Sequence, residues 1–170
     1  MKTVTNKSRL KALLYDYLTI WIYLLLLFAI MGIFYGLILK RIPYFTEIQT
    51  NLISFGTTVL PISLFFAWQE LTSATFGKRK MGLKVAFKKA SFGLAWFRNL
   101  IKFLPWQLGH VAAIHGMYQG QDLFWMIFQF LSLGFLLLLL WMALGRSDRR
   151  HLGDLLAGAR VVAVSDQTLR

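Results

Sequence analysis

Cysteine is absent from the 170 residues, proline occurs three times, and only seven residues are acidic. The missing thiols exclude a disulfide-stapled secreted module and any zinc or iron–sulfur site built on thiolates. Charge of both signs is scarce: Asp, Glu, Lys and Arg make up 15% of the chain, against about 25% in ordinary globular proteins. No internal repeat, low-complexity linker or boundary of a second domain is visible. Apolar residues fill the gap at 57%, which excludes a disordered chain. A water-soluble globule of this length could not enclose that much apolar surface. The composition points to a membrane protein.

The apolar residues fall into long blocks. Tyr17–Leu39 is 23 residues without a charge, Asn51–Gln69 is 19 and Leu123–Leu144 is 22. About 20 such residues make a helix that crosses a bilayer, and none of the blocks shows the alternation of barrel strands. Phe103–Tyr118 is a fourth, shorter block that contains Pro105, Gly109, His110 and His115. Its helix is expected to begin near Ser91, with Arg98 and Lys102 sharing a face in its first turns and a kink near Ile101 caused by Pro105. The expectation is an all-α transmembrane four-helix bundle with helices over about 10–39, 51–70, 94–117 and 123–145, the third partly interfacial. The first apolar run is too long for the core of a cleaved signal peptide, so it reads as a retained anchor.

Cations are distributed unevenly. Seventeen of the 19 Lys and Arg lie before Asp16, between Glu70 and Lys102, or after Leu144; Lys40 and Arg41 are the other two. The positive-inside rule then places both termini and the central loop in the cytoplasm. Trp68, Trp96 and Trp141 fall at the cytoplasmic ends, and Tyr35, Tyr44, Tyr118 and Trp125 at the outer ends, as interfacial belts do. Topology and anionic lipid headgroups account for the net charge of +12 without nucleic acid as a partner.

Two pieces outside the blocks have strand character. Leu83–Phe87 alternates after Gly82, and 160–164 is β-branched after Gly158. Neither is stable alone, so they are expected to pair as a small cytosolic two-stranded element. Between Arg149 and Ala157 the pattern fits a short helix ended by Gly158.

Few residues could carry chemistry. Asp16 either faces a protein interior or water path, or sits half-hydrated at the cytoplasmic interface, since Tyr17–Leu39 already rises about 34 Å. Arg9 is about 10.5 Å away along the same helix and leans away from Asp16. A buried Asp16 therefore needs another donor, with Arg98, Asn99 and Lys102 as candidate partners. Arg9 itself is expected to meet lipid phosphate or Asp154. Asp154 is either a local first-turn charge of the tail helix or half of a tertiary ion pair. Thr75-Phe76-Gly77-Lys78-Arg79-Lys80-Met81-Gly82 lacks phosphate-loop spacing and follows a membrane helix, so its glycines read as turn formers. His110 and His115 point to different faces and do not suit one metal; each is expected to relay a proton or, more commonly, to bond a neighbouring helix. His151 reads as solvent-side. No nucleophile–base pairing, paired carboxylates or HExxH occurs, so no enzyme activity, metal or cofactor is expected.

Taken together these positions resemble the RDD family of small bacterial membrane proteins, named for one arginine and two aspartates. Arg9 and Asp16 match the arginine that starts the first helix and the aspartate within it. Thr75, Gly77, Lys78, Arg79 and Gly82, followed by Leu83 and Val85, are similar to the family's T-x-G-K-R-x-x-G-L-x-V loop. Arg98-Asn99-Leu100 resembles the R-N-L that opens its next helix, and Asp154-Leu155-Leu156-Ala157-Gly158-Ala159-Arg160-Val161-Val162 its closing D-x-x-A-G-T-x-V-V element. Phe76, Gly153 and Ala159 depart from the commoner proline, histidine and threonine, and the segment after the G-L-x-V strand is shortened to Lys88-Lys89-Ala90. The resemblance implies a functional burden on Arg9, Asp16 and Asp154. It also implies one of two roles. The sharper expectation is transport of a small ion or solute, monovalent cation/proton exchange above all, which in a four-helix subunit would require a homo-oligomer. The alternative is a non-transporting scaffold or assembly partner whose charges are structural.

Overall fold

Thr5 starts the first helix. Its hydroxyl accepts the Ser8 N–H at 3.1 Å while Ser8 Oγ accepts the Thr5 N–H at 3.2 Å, a reciprocal box that satisfies amides with no intrahelical partner. In the computed structural model, which describes residues 4–164, α1 runs Asn6–Ile33 and continues as a π-helical segment, Phe34–Ile38. The cap explains why it starts before the expected residue 10. Lys2 and Arg170, two of the cations counted for topology, lie outside the described residues.

A second reciprocal box, between Thr46 and Gln49, starts α2, Glu47–Ser54, ahead of the expected residue 51. A π-helical segment, Phe55–Val59, joins it to α3, Leu60–Thr72. A π turn leaves backbone carbonyls loosely held, and the Tyr23 hydroxyl on α1 donates to the Thr57 carbonyl there at 2.5 Å. A short helix absent from the expectation, α4 at Phe76–Lys80, occupies the loop read as turns. It leads through Gly82, at φ +66°, into β1, Leu83–Phe87.

Ser91 caps α5, Phe92–Tyr118, which stays one helix through Pro105; Ser132 on the next helix donates its hydroxyl to the Pro105 carbonyl at 2.7 Å. Asp122, accepting the Trp125 N–H at 2.9 Å, caps α6, Leu123–Leu144. The tail forms α7, Leu152–Leu156, turns at Gly158 (φ +60°) and ends in β2, Ala159–Ala163. The strands pair antiparallel with Leu83 opposite Ala163, Val85 opposite Val161 and Phe87 opposite Ala159. The tail strand thus lies one residue earlier than expected. Lys88 N–H to Gly158 and Val164 N–H to Gly82 extend the ladder at both ends.

Asn6–Ile38, Glu47–Lys80 and Leu123–Leu144 are long and apolar enough to cross a membrane. Only 6% of the most apolar windows of the first and third stretches is buried. Side chains such as Phe28 (79% exposed) and Leu37 (72%) would be untenable in water at that density and suit lipid. α5 packs along both α3 and α6, and α1 packs chiefly on α4. The apolar core between them is Ile20, Val59, Ile62, Phe66 and Phe103. A second cluster, Val85, Ala157 and Ala159 with Leu94, seats the sheet on the start of α5.

Candidate functional site

On α1 the buried positions are Ala12, Asp16 and Ile20. They are spaced by four, so they form one stripe along the helix. Asp16 is only 3% exposed, which settles its two readings in favour of the interior. Its partners differ from those expected. Oδ2 accepts the Thr75 hydroxyl at 2.8 Å, Oδ1 accepts the Gly77 N–H at 2.8 Å, and Lys78 Nζ lies 3.7 Å from Oδ2. The Gly77 amide belongs to the first turn of α4 and has no intrahelical acceptor, so the carboxylate satisfies a group that burial would otherwise strand. The backbones meet so closely that a Cβ on Gly77 would sit 1.9 Å from the Ala12 carbonyl oxygen. Glycine is needed here for contact, whereas at Gly82 the positive φ requires it.

Arg98, Asn99 and Lys102 do not hold Asp16. Arg98 and Asn99 converge instead on Glu70, at the C-terminal end of α3. Arg98 Nη1 donates to both Glu70 oxygens at 2.7 Å, Asn99 Nδ2 to Oε2 at 2.9 Å, and Lys78 Nζ to Oε1 at 2.9 Å. Lys78 also donates to Thr75 Oγ1 at 3.2 Å, so that hydroxyl accepts from the lysine and donates to Asp16. Lys102 lies over the Phe66 and Phe103 rings, 4.8 and 5.3 Å from their centroids, a cation–π seat.

From Arg98 the network reaches the tail. Its Nε donates to Asp154 Oδ1 at 2.6 Å, and Asp154 Oδ2 accepts the His151 N–H at 3.2 Å. Both expectations for Asp154, local charge and tertiary pair, therefore hold at once. Arg150 closes over this turn, donating to the Asp154 and Ala159 carbonyls. Burial would raise the Asp154 carboxyl, yet Arg98 and His151 keep it below the usual carboxylate range. His151 is not solvent-side: its ring is 13% exposed and lies 3.3 Å from Arg98 Nη2. Burial, with Arg98 close by, pushes it down to about 3. It is a neutral ring at physiological pH.

Asp16, Lys78, Glu70, Arg98 and Asp154 thus form a ladder of alternating charge that links α1, α3, α4, α5 and α7. Arg9 stands outside it. Rather than bonding Asp154 through its side chain, it donates to the Arg149 carbonyl at 2.6 Å and the Val161 carbonyl at 3.4 Å, tying α1 to the tail backbone. Arg79 is exposed and gives the Gly82 N–H its carbonyl. The histidines of α5 behave as interhelical bonds: His110 meets Ser54 at 2.8 Å, and His115 meets Glu47 at 2.8 Å and Asp122 at 3.1 Å.

Glu70, in the sequence only the edge of a charged loop, is the residue on which the network turns. Two signals were present. Seven acids serve the whole chain, and an acid one residue beyond an apolar block sits where water is already scarce. A cavity of about 520 Å³ flanks the ladder between α1 and α6, with Arg9, Asp16 and Lys102 at its polar end and Trp21, Leu136 and Leu140 along its apolar walls.

No curated protein and no solved structure matches the chain. The sequence model of the RDD family matches residues 4–158, a stretch that holds the whole ladder, Arg9 and the two turn glycines. The arginine and two aspartates that name the family are here one backbone clamp and the two ends of a buried ion-pair chain, and the protein belongs to the RDD family.

Proposed function

We propose that this RDD protein is a four-pass scaffold of the bacterial cytoplasmic membrane, with both termini inside, whose named charges lock the first helix and the tail to the bundle. The observation that carries this reading is saturation. Asp16, Glu70 and Asp154 each accept at least two hydrogen bonds from protein donors. Every one of these oxygens already takes a protein donor, so a monovalent cation would have to compete with those donors for it. The adjoining cavity is lined by four cationic and two anionic side chains, which repels a cation rather than collecting it. α5 supplies the fourth span in this reading: its 27 residues rise about 40 Å, and its two cations are turned inward to Glu70, Asp154 and the Phe66 ring. The role is non-enzymatic, and anionic lipid headgroups meet the exposed basic loop.

Asp154→Asn removes one charge from Arg98 while keeping the shape of the side chain. The lock predicts a Tm in detergent lowered by roughly 5–10 °C, with proton-coupled Na⁺ or K⁺ flux in proteoliposomes no different from wild type. Cation/proton exchange draws support from Asp16 lining the cavity, with Lys78 at a loose 3.7 Å. Flux that Asp16→Asn abolishes in a folded protein would replace the scaffold reading with that one.

A further inference from the structure

The cavity between α1 and α6 is graded from end to end. On α1 its lining runs from Arg9 to Leu24, a rise of about 22 Å. That equals about half of the 40–45 Å bilayer including headgroups, one leaflet. At the Arg9 end, α6 closes near, with the Asn6 side chain donating to the Leu144 carbonyl at 3.0 Å. Every charged group of the lining is at this end; toward Leu24 the walls are Trp21, Trp106 and Leu136. α1 and α6 do not pack on one another along their lengths, so the apolar half opens sideways.

The polar end carries donors that the protein does not use. Among the described residues no oxygen takes a hydrogen bond from the Lys102 ammonium, which has only two ring faces. Among the same residues Arg9 Nε is buried without a partner, although its other nitrogens are engaged. Burying such groups unsatisfied costs free energy that an anion would recover. Four cations and two carboxylates line the cavity, and Glu70 behind them pairs with Lys78 and Arg98, so its polar end keeps an excess of one positive charge, with Arg9 and Lys102 lacking a carboxylate hydrogen bond among the described residues.

We propose that this cleft is a binding site for an anionic phospholipid, one acyl chain lying between α1 and α6 and the headgroup phosphate reaching Lys102 and Arg9. A volume of about 520 Å³ suits one chain and a phosphate, within the range of ligand pockets; the second chain stays in the bilayer. The site needs only the cleft and holds whether or not the ladder acts as a lock.

The test uses the full chain in detergent, stripped of lipid, then given phosphatidylglycerol, zwitterionic phosphatidylcholine or inorganic phosphate. Thermal unfolding and native mass spectrometry read the result. One retained phosphatidylglycerol and a rise in Tm well above that with phosphatidylcholine are expected. Lys102→Gln should weaken phosphatidylglycerol binding about fivefold or more, as loss of one cation does. Leu136→Trp, which fills the apolar half from a position already 37% exposed, should abolish retention while the lipid-free Tm holds. Equal effects of the two lipids, or retention unchanged in both variants, would overturn the site. Phosphate alone matching phosphatidylglycerol would make it a free-anion site. A dimer that Leu136→Trp dissociates would give the cleft to a second copy of this chain. Either outcome rejects the lipid.

Discussion

Glu70 faces two cations and one amide with two oxygens and no solvent, and the whole ladder pivots on that arithmetic. Removing any member leaves a charge that burial penalises more than pairing ever gained. Gly77 is equally constrained, by contact rather than charge. In Gly77→Ala the methyl would meet the Ala12 carbonyl oxygen, a backbone atom fixed inside α1. The variant is expected to lose about 3 kcal/mol or more, read as a large drop in Tm or in yield of folded protein. His151 makes stability depend on pH. Its folded value of about 3 lies below the unfolded 6.5, so the unfolded chain takes up the proton first. Stability from this residue is complete above about pH 6.5 and declines as pH falls toward 3. Between pH 7.5 and 5 the loss is about 2 kcal/mol, seen as a falling Tm that His151→Gln should flatten. Asp16 and Asp154 were legible in the sequence as charges worth explaining. Their partners were not, because Lys78 and Arg98 stand 62 and 56 residues away from them, and no local spacing encodes which cation meets which acid.

Helix ends were the best-written elements. Thr5, Ser91 and Asp122 each donate or accept where a cap is needed, and the apolar blocks fixed the interiors between them. The starts at Asn6 and Glu47 came earlier than the blocks suggested, since capping is a matter of one polar side chain rather than of hydropathy. The short helix α4 was hidden for the opposite reason. Lys78, Arg79 and Lys80 are good helix formers but Gly77 is not, and five residues are too few to hold a helix alone; it keeps its shape because Asp16 and Glu70 receive its Gly77 amide and Lys78 ammonium. The strands were visible as a pair because each was too short to stand alone. Deleting residues 159–170 should therefore unpair Leu83–Phe87, release the Arg9 contact to Val161, and open the loop to trypsin at Lys84 and Lys88. Unchanged protection of those bonds would show that β1 is held by α5 alone.

At the scale of the whole molecule, one polar seam near a single end organises an otherwise lipid-facing bundle. α1 makes little contact with α5 and α6. It is kept in place by Asp16 on α4, by Arg9 on the tail backbone and by a small apolar core around Ile20. That economy leaves the cleft open beside it, and it fastens the tail to the helices instead of leaving it an appendage. The architecture predicts that ladder variants unfold α1 and the tail together. The sharpest test is the thermal unfolding of Glu70→Gln in detergent. The amide can still accept from one cation but carries no charge for the other, so Tm should fall by roughly 10 °C, for a loss of about 3–5 kcal/mol, and by more than in Asp16→Asn. A Glu70→Gln protein that melts with the wild type would mean that these charges are not what holds the molecule together.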